Sequence, residues 1–154
     1  MTRALVVHCH PLEGSFGAAV RDRVLVALHS GGADVRLTDL YADGFEPAFT
    51  ATDRARHLEP GADPSIRHHA DDLAWCDTLV LVYPTWWSGQ PAMLKGWIDR
   101  VWVNGVAWTL PEGANRLRPG LRNVRRLIAV TTHGSSKWMN MVEGETGKRT
   151  LTRS

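Results

Sequence analysis

The stretch YPTWWSGQPAMLKGWIDRVW, residues 83–102, carries four of the seven tryptophans in this 154-residue chain. Trp86 and Trp87 stand side by side in a short turn with Pro84 before them and Pro91 after. Indoles are large apolar groups that lose stabilisation when left in water, so a loop carrying two has a surface to cover. Consecutive loop side chains project in different directions, so at least one of the pair should face the crevice beside the loop. A flat polarisable wall next to main-chain N–H groups suits an aromatic ligand that gains negative charge, such as a flavin being reduced. The competing reading for this loop is simple packing, and for Trp97 and Trp102, on the apolar face of a helix, packing is the better reading.

Two other loops have chemistry-bearing residues. HCHPLEGSFG, residues 8–17, ends a strand-like run and opens a helix, where free N–H groups and the Ser15 hydroxyl make a cradle for phosphate. His10 is placed to hydrogen-bond such a phosphate, and Pro11 fixes the chain direction. The plainer alternative makes His10-Pro11 a turn and Ser15 a helix cap. The third loop is TTHGSS, residues 131–136, after another apolar run.

Several chemistries are disfavoured. There is no GxxxxGK[ST] or GxGxxG, so nucleoside triphosphate chemistry is not expected. No GxSxG elbow and no Ser–His–Asp or Cys–His arrangement is readable. Zinc fails on geometry, because His8 and His10 share one strand face while Cys9 points to the other, and His68 and His69 diverge on a helix.

The elements that must position these loops follow from periodicity. ALVVHC (4–9) is a β-branched apolar run, and Phe16, Ala19, Val20, Val24, Ala27 and Leu28 recur at helical spacing between a Ser15 N-cap and the SGG stop at 30–32. DVRLTDL (34–40) predicts a half-buried strand through Val35, Leu37 and Thr38. A short helix is expected at 51–58 and another over 65–75. DTLVLVYP (77–84) is the continuous apolar run of a strand buried on both faces. A helix follows from about Pro91, with Leu94, Trp97, Ile98, Val101 and Trp102 facing inward, and a fourth strand lies at about 125–131. This alternation predicts an α/β fold with a doubly wound parallel sheet. With strand order 2-1-3-4, the loops at 10–15, 84–90 and 132–138 meet at the carboxyl edge, where ligands of open α/β sheets sit.

Composition agrees with one domain over residues 1–154: 44% hydrophobic, 22% charged and a formal net charge of +2. That charge suggests neither a nucleic-acid nor a membrane partner, and Arg122, Arg125 and Arg126 read as a solvated surface. Cys9 and Cys76 read as reduced packed thiols, no signal peptide or membrane span is expected, and a cytoplasmic location is the default. Residues 135–154 predict a loop and a helix but no fifth strand. A four-strand sheet leaves its last strand as a bare edge, which makes the chain either C-terminally truncated or covered there by a partner.

Taken together, HPLEGSF, YPTWWSGQPAMLKGWIDRVW and TTHGSS resemble the three signatures of flavodoxin-like NAD(P)H:quinone oxidoreductases, in the right order and spacing over roughly residues 4–140. This group includes mammalian quinone reductases, bacterial modulators of drug activity and ancillary oxidoreductases of potassium-efflux systems. The middle motif, P-x-x-W-x-x-x-P-A-x-L-K-G-W-x-[DE]-R-V, is the specific one. The resemblance implies a flavodoxin-like fold and a bound FAD, or FMN in some members. His10, Ser15 and Phe16 would face its phosphates, Pro84, Thr85, Trp86 and Trp87 its isoalloxazine, and Thr131, Thr132, His133 and Gly134 its polar edge. It further implies NAD(P)H as donor, a quinone or similar acceptor, ping-pong hydride transfer and a homodimer. Two alternatives stand beside it: a regulatory subunit of a potassium-efflux system, and a flavin-free interaction module.

The chain departs from the pattern at position 133, which is His where members commonly have Gly. The Tyr and His that assist hydride transfer in the mammalian enzymes have no counterpart in KWMNMVEGETG, so no catalytic residue is assigned; Trp138 and His133 could only shape the pocket. The family's final strand is also absent.

Overall fold

The computed structural model of the chain describes residues 1–142, 144 and 146–153. Strands β1 (Arg3–His8), β2 (Asp34–Asp39), β3 (Thr78–Pro84) and β6 (Arg126–Thr132) form one parallel sheet in the order β2-β1-β3-β6. This is the expected doubly wound order, with β6 in the fourth place. The helices are α1 (Phe16–Ser30), α2 (Ala51–Arg56), α3 (Arg67–Trp75), α4 (Ala92–Val101), α5 (Lys137–Val142) and α6 (Thr146–Arg153). A short antiparallel pair, β4 (Trp108–Thr109) with β5 (Arg118–Pro119), interrupts the α4–β6 connection. The sequence reading did not include it, because two-residue strands carry no periodicity.

Each sheet face is buried by its own cluster. Leu5, Val7, Cys9, Leu79, Leu81 and Tyr83 join Leu94, Trp97 and Val101 of α4 on one side. Val6, Val80 and Val82 meet Val20, Val24, Leu25 and Leu28 of α1 on the other. The period of two along β1 and β3 thus feeds two separate cores, and every residue of β3 is buried. Gly96 explains why α4 sits so close: a Cβ there would lie 2.3 Å from the Pro47 carbonyl oxygen. Trp97 next to it is fully buried. Pro91 is the N-cap of α4, one position earlier than the first-turn placement expected.

Two expectations differ at the edges. Leu37 is exposed while Thr38 is buried. Leu37 shares the α1 face with Val35 by strand alternation, but only Val35 of the two joins the cluster under that helix. On the opposite edge, Leu127 and Ile128 of β6 are exposed, and among the described residues no further strand pairs with β6. Arg122, Arg125 and Arg126 are exposed, and both cysteines are free and buried, as the sequence reading has them.

Candidate functional site

The sheet brings three chain exits together. His8 pairs with Val82, and the Cys9 N–H donates to the Val82 carbonyl at 3.0 Å. Pro84 pairs with Thr132, and the Thr85 N–H donates to the Thr132 carbonyl at 2.8 Å. With neighbouring strands about 4.8 Å apart, the ends of β1, β3 and β6 lie within about 10 Å of one another. Pro84 suits its place: its missing N–H lies on the β1 side, beyond the last β1–β3 pair.

The first exit is built around the N-terminus of α1. Ser15 is the N-cap, and its hydroxyl accepts from the Ala18 N–H at 3.1 Å. The helical ladder begins with the Ala19 N–H on the Ser15 carbonyl at 3.1 Å, so the amides of Phe16 and Gly17 point out of the helix end as donors. His10 folds over that end. Its Nδ1 lies 3.1 Å from the Leu12 N–H and 3.3 Å from the Leu12 carbonyl oxygen, so the ring is held against the backbone of its own loop. A Cβ on Gly17 would stand 3.2 Å from His10 Cδ2, so the absent side chain is what lets the imidazole lie there. Phe16 is 75% exposed.

The second exit is a two-residue hairpin. Trp86 and Gly89 exchange N–H···O bonds of 3.1 and 3.0 Å, and the residues between them, Trp87 and Ser88, have φ of 49° and 61°. Positive φ at both central positions marks a type I′ turn, a conformation usually left to Gly and Asn. The turn carries the Trp87 indole fully into solvent, while Trp86 is 42% exposed. Pro84 is buried as the last residue of β3.

At the third exit, Thr131 and Thr132 are the last residues of β6 and not part of the loop. His133 folds back to hydrogen-bond Thr131 Oγ1 through Nε2 at 2.9 Å. Gly134, like Gly14 in the first loop, faces open space, with nothing within 4 Å of where a Cβ would be. Trp138, in α5 just beyond, is exposed. The residues expected at the site thus sit on three adjacent exits, with Phe16, Trp86, Trp87 and Trp138 as its exposed aromatic groups.

Two further clusters differ in character. His8 is buried on the α1 side beneath the first exit; burial, partly offset by Asp39, lowers its pKa. Burial pushes the Cys9 thiol up to about 12 and the Cys76 thiol up to about 11, so neither is a nucleophile at neutral pH. Elsewhere a cleft is lined by Phe49, Thr52, Asp53, Arg56, His57 and Arg100 among others. Its charges answer one another: Arg100 Nε lies 3.3 Å from Asp53, and Arg56 lies 3.0 Å from Glu59 and 3.7 Å from Asp63. The Asp53–Arg100 pair joins α2 to α4, and Arg56 ties the end of α2 to the segment that follows it. Among the described residues no group of three or more His, Cys, Asp or Glu could hold a metal ion. No helix among them is long and apolar enough to cross a membrane.

A family model described as Flavodoxin-like fold matches residues 2–151. The chain belongs to this family. Among curated proteins, the flavodoxin-like chain is 36% identical over 108 residues to an uncharacterized NAD(P)H oxidoreductase, YcaK, of Escherichia coli K12, covering 69% of this chain and 55% of that one. It is 28% identical to NAD(P)H dehydrogenase [quinone] 1 of Cavia porcellus, covering 92% of this chain and 57% of that one. Among solved structures, the NAD(P)H:quinone oxidoreductase from Methanothermobacter marburgensis superposes with a TM-score of 0.86 at 22% identity, over 98% of this chain and 76% of that one. The first of these similarities bears on sequence and fold together, the last on the fold alone. The chain spans little more than half the length of these two curated relatives.

Sequence reasoning missed the partners of the hairpin. The Thr146 hydroxyl donates to the Ser88 carbonyl, and Gln90 Nε2 donates to the Gly147 carbonyl at 3.0 Å. These contacts join residues more than fifty positions apart, and nothing in composition or spacing signals them.

Proposed function

We propose that the protein is a flavin-dependent NAD(P)H:quinone-type oxidoreductase. The observation that carries this reading is the convergence of a helix N-terminus and a solvent-facing tryptophan hairpin on one open rim of the sheet. A flavin needs both: donors for its phosphate and a flat apolar surface for its ring. The residues fit the group, because Gly14 and Gly134 leave the rim open and the exposed aromatics supply more flat surface than an isolated domain would leave in water.

A bound flavin would supply the two-electron redox chemistry between NAD(P)H and a quinone that a ping-pong cycle requires. The chain's own residues bind and orient. The Phe16 and Gly17 amides, the Ser15 hydroxyl and the His10 imidazole would hold the phosphate end. Trp86 and Trp87, set beyond Pro84 and Thr85, would flank the ring. Thr131, Thr132, His133 and Gly134 would offer hydrogen bonds to its polar edge, where negative charge develops. Names carried by the curated relatives support the donor and the acceptor class. FAD and FMN both suit the rim, and a second protomer would cover the aromatics that one chain leaves bare.

The test is direct. The purified protein, reconstituted with FMN or FAD, should be yellow, bleach on anaerobic addition of NADPH or NADH, and recover its colour with a soluble quinone. A protein that takes up neither flavin overturns the proposal.

A further inference from the structure

The hairpin that carries Trp86 and Trp87 is not a self-sufficient turn. Trp87 and Ser88 both occupy the left-handed region, which costs a side-chain-bearing residue on the order of 1 kcal/mol each. Such a conformation persists where surrounding contacts over-determine it. Here the contacts come from the start of α6. The Thr146 hydroxyl donates to the Ser88 carbonyl at the tip, and the Gln90 side chain donates to the Gly147 carbonyl on the exit limb. A Cβ on Gly89 would lie 3.7 Å from Thr146 Oγ1, so the two segments are in van der Waals reach. The helix is itself anchored, since Leu151 packs against the main core and the Thr150 hydroxyl donates to the Thr146 carbonyl at 2.9 Å. A continuous path runs from the core through Leu151 and α6 to the hairpin.

We infer that Thr146 is a positioning residue: with Gln90 and Gly147 it clasps the tryptophan hairpin, setting the direction in which Trp86 and Trp87 present their indoles. The clasp acts through the hairpin and touches no reacting atom. Its consequence for ligand binding rests on the flavin reading above, whereas its effect on the hairpin does not. Loosening it should let the 86–89 turn relax without unfolding the sheet, because the bonds concerned lie outside both sheet-facing cores.

The experiment compares Thr146→Val, which keeps the shape and removes the donor, with Thr146→Ser, which keeps the hydroxyl, and with Gln90→Leu. Two readouts are used on the full chain. Hydrogen exchange of the flavin-free protein follows the Trp86 and Gly89 amides, and FMN titration follows affinity. Thr146→Val and Gln90→Leu should each speed exchange at those two amides by about tenfold, the size of one modest hydrogen bond, while β1 and β3 amides stay unchanged. Thr146→Ser should restore the slow exchange. FMN affinity should fall in the first two variants and return in the third. Unchanged hairpin exchange in both Thr146→Val and Gln90→Leu overturns the clasp, whatever happens to affinity. Faster exchange that Thr146→Ser does not restore assigns the effect to packing at position 146 and likewise overturns the role given to the hydroxyl. If wild-type protein takes up no FMN, the flavin reading fails and the exchange result alone decides the clasp.

Discussion

Trp86 and Gly89 close a two-residue turn by exchanging hydrogen bonds of 3.1 and 3.0 Å, and the residue they lift between them, Trp87, has a fully exposed indole on a left-handed backbone. The turn is hydrogen-bonded where it leaves β3 and unsupported by hydrophobic packing at its tip. That combination is unfavourable for an isolated domain and useful for holding a flat ligand.

Replacing Trp87 by Gly separates these two effects. Glycine takes φ of 49° without steric cost, so the variant should be as stable as the parent or about 1 kcal/mol more so, despite losing the indole. Flavin affinity should fall all the same. Denaturant midpoints and a flavin titration on the same preparation check both halves. A variant that is destabilised by more than about 1 kcal/mol would show that the indole is packed after all.

Gly96 makes the opposite case. Its Cβ position lies 2.3 Å from the Pro47 carbonyl oxygen and 2.7 Å from Pro47 Cα, both backbone atoms that cannot step aside alone. Gly96→Ala should therefore cost about 1–3 kcal/mol by overpacking, against the slight gain that Ala brings to a helix interior. Thermal melting of the two proteins measures it.

Gly17→Ala probes the phosphate end proposed at the α1 N-terminus. The added methyl would press on His10 Cδ2 at 3.2 Å and turn the imidazole away from the α1 N-terminus. Affinity for FMN should drop while affinity for riboflavin, which has no phosphate, stays the same. Equal losses for both ligands would place the phosphate elsewhere.

Stability should fall with acid through buried histidines. His69 packs edge-on to Phe45 and Trp97, and burial, with the neighbouring His68 adding and Asp72 opposing, lowers its pKa from 6.5 to about 4. Between those values the unfolded chain takes up a proton that the folded chain refuses. Stability is therefore full above pH 6.5 and declines as pH falls toward 4, by roughly 2 kcal/mol at pH 5 from this group. His8, lowered mainly by burial, acts in the same direction. Urea midpoints at pH 7 and pH 5 should show the decline, and His69→Phe should reduce it.

Much of this was legible in the chain itself. Ser15 followed by the α1 stripe, the apolar run ending at Pro84, and the spacing of Leu94, Trp97 and Val101 each fix an element by local physics, and order along the chain then orders the sheet. Leu37 was misread because strand alternation tells which face a residue takes and not whether that face is covered. The β4–β5 pair was too short to leave a pattern. At the site, the loops were locatable because a parallel sheet gathers its carboxyl ends. The side-chain directions within them were not: Trp87 points to solvent because two successive residues adopt positive φ, and Thr146 reaches Ser88 because α6 packs through Leu151. Both are tertiary outcomes without a local signal.

The central claim is that a flavin ring lies against Trp86 at the rim of the sheet, and flavin titration of paired tryptophan variants tests it most directly. Trp86→Ala should weaken FMN or FAD binding by about tenfold with the fold intact. Trp97→Phe, altering a fully buried indole on the far side of the same motif, should lower stability and leave the affinity within about twofold of the parent. Equal affinities in the two folded variants would contradict the account.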